Sequence, residues 1–341
     1  MVDSAIAAAI RTLPKAELHL HIEGTLEPAL ALELAARNGV ELPWTNVDDL
    51  AKQYEFEDLQ SFLNLYYQLM AVLKTEDDFR DLMLANLRHA AEDGVRHAEI
   101  FFDPQVHMKN GTAFETVLNG LKEGARIGRE RYGVTVGLIM SVVRDESVAS
   151  ADELIDVAAP YANDILGIGL DSAEVGFPPH LFEDVYRKAK ELGWHRVAHA
   201  GEEGPVGYIE EALDLLHVER IDHGTHAADS PAMMERLAAE GIGLTSCPLS
   251  NLRLNVVDKP SDLPILEFMN NDMAVTINSD DPAYFGGYIA ANYDILVTGL
   301  GLKLDDLARL AGNSLAVSFI TEEERAALFA ELEDWKTEHL G

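Results

Sequence analysis

The chain has 341 residues, 48% of them hydrophobic, which is enough to bury a large core, and it lacks the roughly 18-residue apolar run needed to span a membrane. Its 59 acidic and 26 basic residues leave a net charge of −33, a surface that repels phosphate backbones and argues against nucleic acid as a partner. The one cysteine, Cys247, excludes an internal disulfide and a cysteine-built zinc site, and it fits a reducing cytoplasm.

The stretch up to His19 has no cationic start and only a short alanine-rich apolar run, so no secretory signal is expected. Apolar, β-branched runs then alternate with helical stretches. Strands are expected at 16–21, 97–103, 134–143, 166–172, 195–200, 220–223, 243–247 and 274–280. Amphipathic segments such as 113–132, 180–192 and 231–240 separate them. Eight such alternations, with strands apolar on both faces, predict an α/β fold of the (β/α)8 TIM-type barrel class. A doubly wound sheet is the alternative, but no G-x-G-x-x-G follows the first run.

The interval 25–95 is too long for one helix and carries helical patterns at 26–38, 59–73 and 77–93. Extra helices after the first strand would sit above the barrel mouth. Within them Phe62, Leu63 and Tyr66 share one helical side, read either as helix core or as an apolar lid over a ligand. The chain beyond Lys303 is expected to be helical. No repeat or linker interrupts it, so residues 1–341 read as a single barrel domain.

The chemistry gathers at the strand ends. His19 and His21 are two apart on the first strand and face the same side. Two neutral imidazoles suit a borderline-soft divalent metal. His199 closes the fifth strand and can point at the same ion. Glu202 follows in a glycine-flanked loop, where an apolar pocket would raise its pKa and leave it able to donate a proton. His223 ends the sixth strand, placed to orient a water and take its proton, or else to bond within the barrel. Asp280 and Asp281 end the eighth. Adjacent strand residues diverge, so one can ligate metal while the other turns toward substrate; D-D-P is also a common helix start.

The segments PKAELHLHIEG, HAGEEG, RIDHG, CPLSN and NSDDPAYFGGY resemble the adenosine/adenine deaminase family of the amidohydrolase superfamily, over about Leu13 to Ser314. Glu23, where adenosine deaminases usually carry aspartate, together with CPLSN, Ser172–Gly176 and DDPAYFGGY, leans toward the adenine deaminase branch. Ala173 departs from the serine more often found there. The resemblance implies one zinc per chain held by His19, His21, His199 and Asp280. It implies Glu202 as proton donor to the purine ring, His223 as the residue that positions the attacking water, and Asp281 as a ring contact. Glu174 stands where adenosine deaminases usually have glycine, and its carboxylate is expected to accept the N9 hydrogen of a free base. Glu23 is expected to intrude on the space a ribose would need.

The expected activity is hydrolytic deamination of adenine to hypoxanthine and ammonia, a purine-salvage reaction with a small-molecule base as partner and neither nucleic acid nor membrane. A homo-oligomer is compatible with the sequence. The alternatives are a deaminase of adenosine or of an N6-substituted adenine, and a non-catalytic purine- or metal-binding barrel. A binuclear hydrolase would need a strand-four lysine, and Asp171-Ser172-Ala173-Glu174 has none. Deaminases of flipped nucleic-acid bases rely on paired cysteines.

Overall fold

The computed structural model describes residues 2–341. Eight parallel strands form one sheet in chain order. They are β1 (Lys15–His21), β2 (Val95–Phe102), β3 (Thr135–Val143), β4 (Gly167–Asp171), β5 (His195–Ala200), β6 (Arg220–His223), β7 (Gly243–Ser246) and β8 (Ala274–Ile277). Parallel neighbours require crossovers, and helices between the strands supply them. The ring closes between β1 and the chain just past β8. Leu20 bridges Asp280, the His21 N–H donates to the Asp280 carbonyl at 3.0 Å, and the Asp280 N–H donates to the His19 carbonyl at 3.1 Å. The Asn278 side chain accepts the Leu18 N–H at 2.8 Å and completes the seam. This is the expected (β/α)8 barrel.

The barrel interior is polar as well as apolar. Glu99 on β2 and Arg220 on β6 are both fully buried and meet at 2.5 Å. Arg220 also donates to the Leu18 carbonyl at 3.1 Å, and Glu99 accepts the Phe319 N–H at 2.5 Å. A buried ion pair holds only when its remaining hydrogen-bonding capacity is met in this way.

The long first interval folds into helices at Pro28–Asn38, Val47–Ala51, Leu59–Met70 and Glu76–Glu92. Reciprocal capping boxes, Asp58 with Ser61 and Thr75 with Asp78, start the last two. The helix 59–70 buries Phe62, Leu63 and Tyr66, and the same three line the cavity at the barrel mouth. Core helix and apolar wall are therefore one surface.

The strands fall within two residues of expectation except at the end of β8. β8 stops at Ile277 rather than Asp280, because Asp280 has φ +63°. His223 and Ser172 share this left-handed backbone at +61° and +70°. Non-glycine residues rarely adopt it. All three line the cavity, where such strain turns the chain sharply as it leaves the barrel.

Candidate active site

A cavity opens to solvent at the carboxyl end of the barrel. His19, His21, His199 and Asp280 converge there, with one ligand atom from each within 4.8 Å of the others. His21 Nε2 and His199 Nε2 are 3.2 Å apart. Asp280 Oδ1 lies 3.4 Å from His19 Nε2 and 3.6 Å from His21 Nε2. Two ligands about 2.0–2.1 Å from one ion at tetrahedral angles stand roughly 3.3 Å apart. These three separations lie near the edge length of a metal tetrahedron.

His19 is also aimed from behind by a hydrogen bond, and carboxylates stand behind His21 and His199. His19 Nδ1 lies 2.8 Å from the Thr245 hydroxyl, which donates to Asp222 Oδ1 at 3.0 Å. With its proton committed to Asp222, that hydroxyl accepts from His19 Nδ1–H and leaves Nε2 a bare lone pair. His19 Nε2 is buried with no protein partner. His21 Nδ1 lies 3.5 Å from Asp171 Oδ2, and His199 Nδ1 lies 3.8 Å from Asp222 Oδ2. Carboxylates and hydroxyls behind ligand histidines set tautomer and ring angle in metal sites.

The electrostatics call for a cation. Burial, then the charges of Asp280 and Glu174, push the Glu202 carboxyl well above its usual range. Burial and Asp280 do the same to Asp281. Burial and then Asp103 raise Asp171. Asp280 alone is held well below the usual range, because His19 and its neighbours outweigh its burial. Burial, then His19, lowers the His223 imidazole to about 3, so His223 is neutral and able to accept a proton. This crowd of buried acids around imidazoles is costly without a positive ion at its centre.

The two remaining groups of the expected machinery border the same point. His223 Nε2 is 3.5 Å from Glu202 Oε1 and 3.7 Å from Asp280 Oδ2. Asp281 is buried with Oδ1 unpartnered, and it packs on Gly24. A Cβ at Gly24 would lie 2.0 Å from Asp281 Oδ1, so the absence of a side chain there makes room for the carboxylate.

Two expected substrate contacts are placed elsewhere. Glu174 does not border the cavity. Its carboxylate accepts four successive backbone N–H groups, from Gly201 at 2.7 Å, Glu202 and Glu203 at 3.0 Å, and Gly204 at 2.8 Å. The expectation that it meets the N9 hydrogen is corrected: both oxygens are spent on the loop that carries Glu202. Glu23 is likewise buried off the cavity wall. Its Oε1 accepts from His107 Nε2 at 2.8 Å and from the Asp103 N–H at 3.2 Å. It supports the wall rather than touching a ligand.

Sequence reading missed several participants. Asp103 and Asp171 line the cavity, and Thr245 and Asp222 orient the histidines. Single polar residues ending the apolar runs EIFFD and GIGLD were the available signal. His97, His107 and Cys247 are buried as well.

A family model described as adenosine deaminase matches residues 14–335. The chain is 55% identical over 330 residues to an adenine deaminase of Streptomyces coelicolor, covering 96% of this chain and 97% of that protein. It superposes on the crystal structure of adenine deaminase from Arthrobacter aurescens with a TM-score of 0.93 at 51% identity, covering 95% of this chain and 99% of that one. A zinc-bound amidohydrolase structure from Burkholderia ambifaria gives a TM-score of 0.90 at 27% identity, covering 99% and 94%.

Proposed function

Because this chain belongs to the adenosine deaminase family, we propose that it is a hydrolytic deaminase acting on adenine, releasing hypoxanthine and ammonia. The observation that carries this reading is the convergence of His19, His21, His199 and Asp280 on one point bordered by His223 and Glu202. Relatives about half identical over nearly the whole chain bear the name adenine deaminase. We read residues 1–341 as one catalytic domain.

His19, His21, His199 and Asp280 would hold the metal. Zinc is our assignment, supported by the His3Asp donor set and by the zinc-bound relative. When bound, the ion supplies the positive charge that lowers the pKa of a water to about 7, so that it attacks at neutral pH.

The protein's own groups move the protons. His223, neutral by burial, takes a proton from the attacking water and aligns its oxygen on C6. Glu202, kept protonated by its surroundings, gives its proton to N1 as C6 becomes tetrahedral. The ring thereby accepts the electron pair displaced from C6, a contribution of about 10²–10⁴ in rate. His223 then returns its proton to the exocyclic amino nitrogen, Glu202 takes back the proton of the new C6 hydroxyl as the carbonyl forms, the bond from C6 to that nitrogen breaks, and ammonia departs. Asp281 faces N7 and fixes the ring. Phe62, Leu63 and Phe285 line the cavity and exclude water from it.

No helix among the described residues is long and apolar enough to cross a membrane, and we place the enzyme in the cytoplasm, in purine salvage. A panel of adenine, adenosine and N6-methyladenine, each followed by ultraviolet absorbance and ammonia release, tests the substrate. Adenine should lead, and a preference for adenosine would overturn that choice while sparing the site.

A further inference from the structure

Taking adenine deamination as the premise, we propose that Asp103 is the residue that distinguishes a free purine base from its nucleoside, by accepting the hydrogen on the imidazole-ring nitrogen N9. The argument starts from the order of strands around the mouth. Glu202 follows β5, His223 ends β6, and Asp280 and Asp281 follow β8, so the groups assigned to C6, N1 and N7 occupy one side. In a purine N1 and N7 flank C6, while N3 and N9 form the opposite edge. That edge must face the wall built by the ends of β2 and β4, where Asp103, Asp171 and Ser172 line the cavity.

Of the two carboxyls there, Asp171 stands behind the ligand histidine His21, its Oδ2 3.5 Å from Nδ1, and both its oxygens are buried without a hydrogen-bond partner. Asp103 is aimed differently. Its Oδ2 accepts the Tyr66 hydroxyl at 3.2 Å, and its backbone N–H is held by Glu23, itself held by His107. Its Oδ1 is buried and has no partner. Asp103 is 2% exposed and borders the cavity; burial and then Glu23 raise its carboxyl to about 7, offset in part by Asp171, and in its ionised form Oδ1 is an acceptor with no hydrogen-bond partner in the protein.

A base substituted at N9 brings no hydrogen to Oδ1. It must also fit its substituent against the Glu23–His107–Asp103 assembly, which the barrel end holds rigid. Glu23 has no exposed surface and does not line the cavity, its Oε1 shared by two donors, so it stands behind the wall and does not meet a sugar hydroxyl. Sites built to pair one substrate hydrogen reject analogues lacking it by about 10⁴–10⁵.

The test uses metal-replete protein and two readouts. The first is kcat/KM for adenine against 9-methyladenine. The second is calorimetric binding of hypoxanthine against 9-methylhypoxanthine. Asp103 starts a helix without capping it through its side chain, so Asp103→Ala should retain fold and metal content, both measured alongside. In Asp103→Ala the preference for the N9–H compound should shrink at least about 100-fold in both readouts. Asp103→Asn, which keeps a carbonyl acceptor, should recover part of it. Retention of the parent's preference by folded, metal-replete Asp103→Ala would overturn the assignment, as would equal losses for both members of each pair. A parent protein that releases no ammonia from adenine would instead overturn the underlying reading.

Discussion

Glu174 Oε2 accepts the backbone N–H of Glu202 at 3.0 Å. The same oxygen takes the N–H groups of Glu203 and Gly204, and its companion takes Gly201. One carboxylate thus shapes the whole loop that presents Glu202, the proposed proton donor. In Glu174→Ala these four buried donors lose their acceptor, and each such loss costs about 1–3 kcal/mol unless water enters. Stability should fall by about 2–4 kcal/mol, and kcat by about 10²-fold as Glu202 loses its aim, with the bound metal retained. Denaturant unfolding, steady-state kinetics and metal analysis check the three together.

Glu202 has no expected part in holding the metal. Glu202→Gln keeps the shape of the side chain and cannot deliver a proton to N1. Its kcat should fall by about 10²–10⁴-fold, while metal content stays at the parent's value. A fall in metal content matching the fall in rate would make Glu202 a ligand instead.

Thr245 links His19 to Asp222. Thr245→Val removes the hydroxyl and frees the His19 ring to choose its other tautomer. Metal affinity should drop about 10–100-fold, as it does when groups behind a ligand histidine are lost. At saturating metal kcat should return near the parent's value, and competition against a chelator with an optical readout measures the change.

The ion pair inside the barrel governs acid stability. Burial alone would raise the Glu99 carboxyl, but Arg220, then His97 and the Phe319 N–H, bring it down to about 2 from 4.5. The unfolded chain therefore binds this proton between pH 4.5 and 2, where the folded chain does not. The stabilisation is complete above pH 4.5 and is lost as pH falls toward 2. Glu99→Gln should flatten that part of the stability–pH curve. Arg220→Met leaves Glu99 buried without its cation and should cost about 3–5 kcal/mol at neutral pH. Urea unfolding across the pH range reads both.

Much of this was legible in the chain itself, and the reason is periodic chemistry. Apolar strands recur eight times, and His19 and His21 stand two apart, so both the barrel and the facing imidazoles can be read without coordinates. The end of β8 could not be read, because the left-handed turn at Asp280 depends on its bonds to β1 across more than 250 residues. Glu174 and Glu23 were misread for a related reason. An acid beside a cavity looks the same in sequence whether it faces a ligand or a neighbouring loop, and only packing decides. Asp103, Asp171 and Thr245 belong to no spaced motif, Asp222 sits unremarked inside RIDHG, and their roles arise from strands that meet only in the closed barrel.

The central claim is that one metal ion, gathered from both ends of the chain, drives adenine deamination. It is tested most directly by adding zinc stepwise to chelator-stripped protein while recording bound metal and ammonia released from adenine. Activity should rise from nothing and level off at one ion per chain, and His19→Ala should bind little metal and stay inactive. Full activity in stripped protein, or a plateau reached only at two ions, would contradict the account.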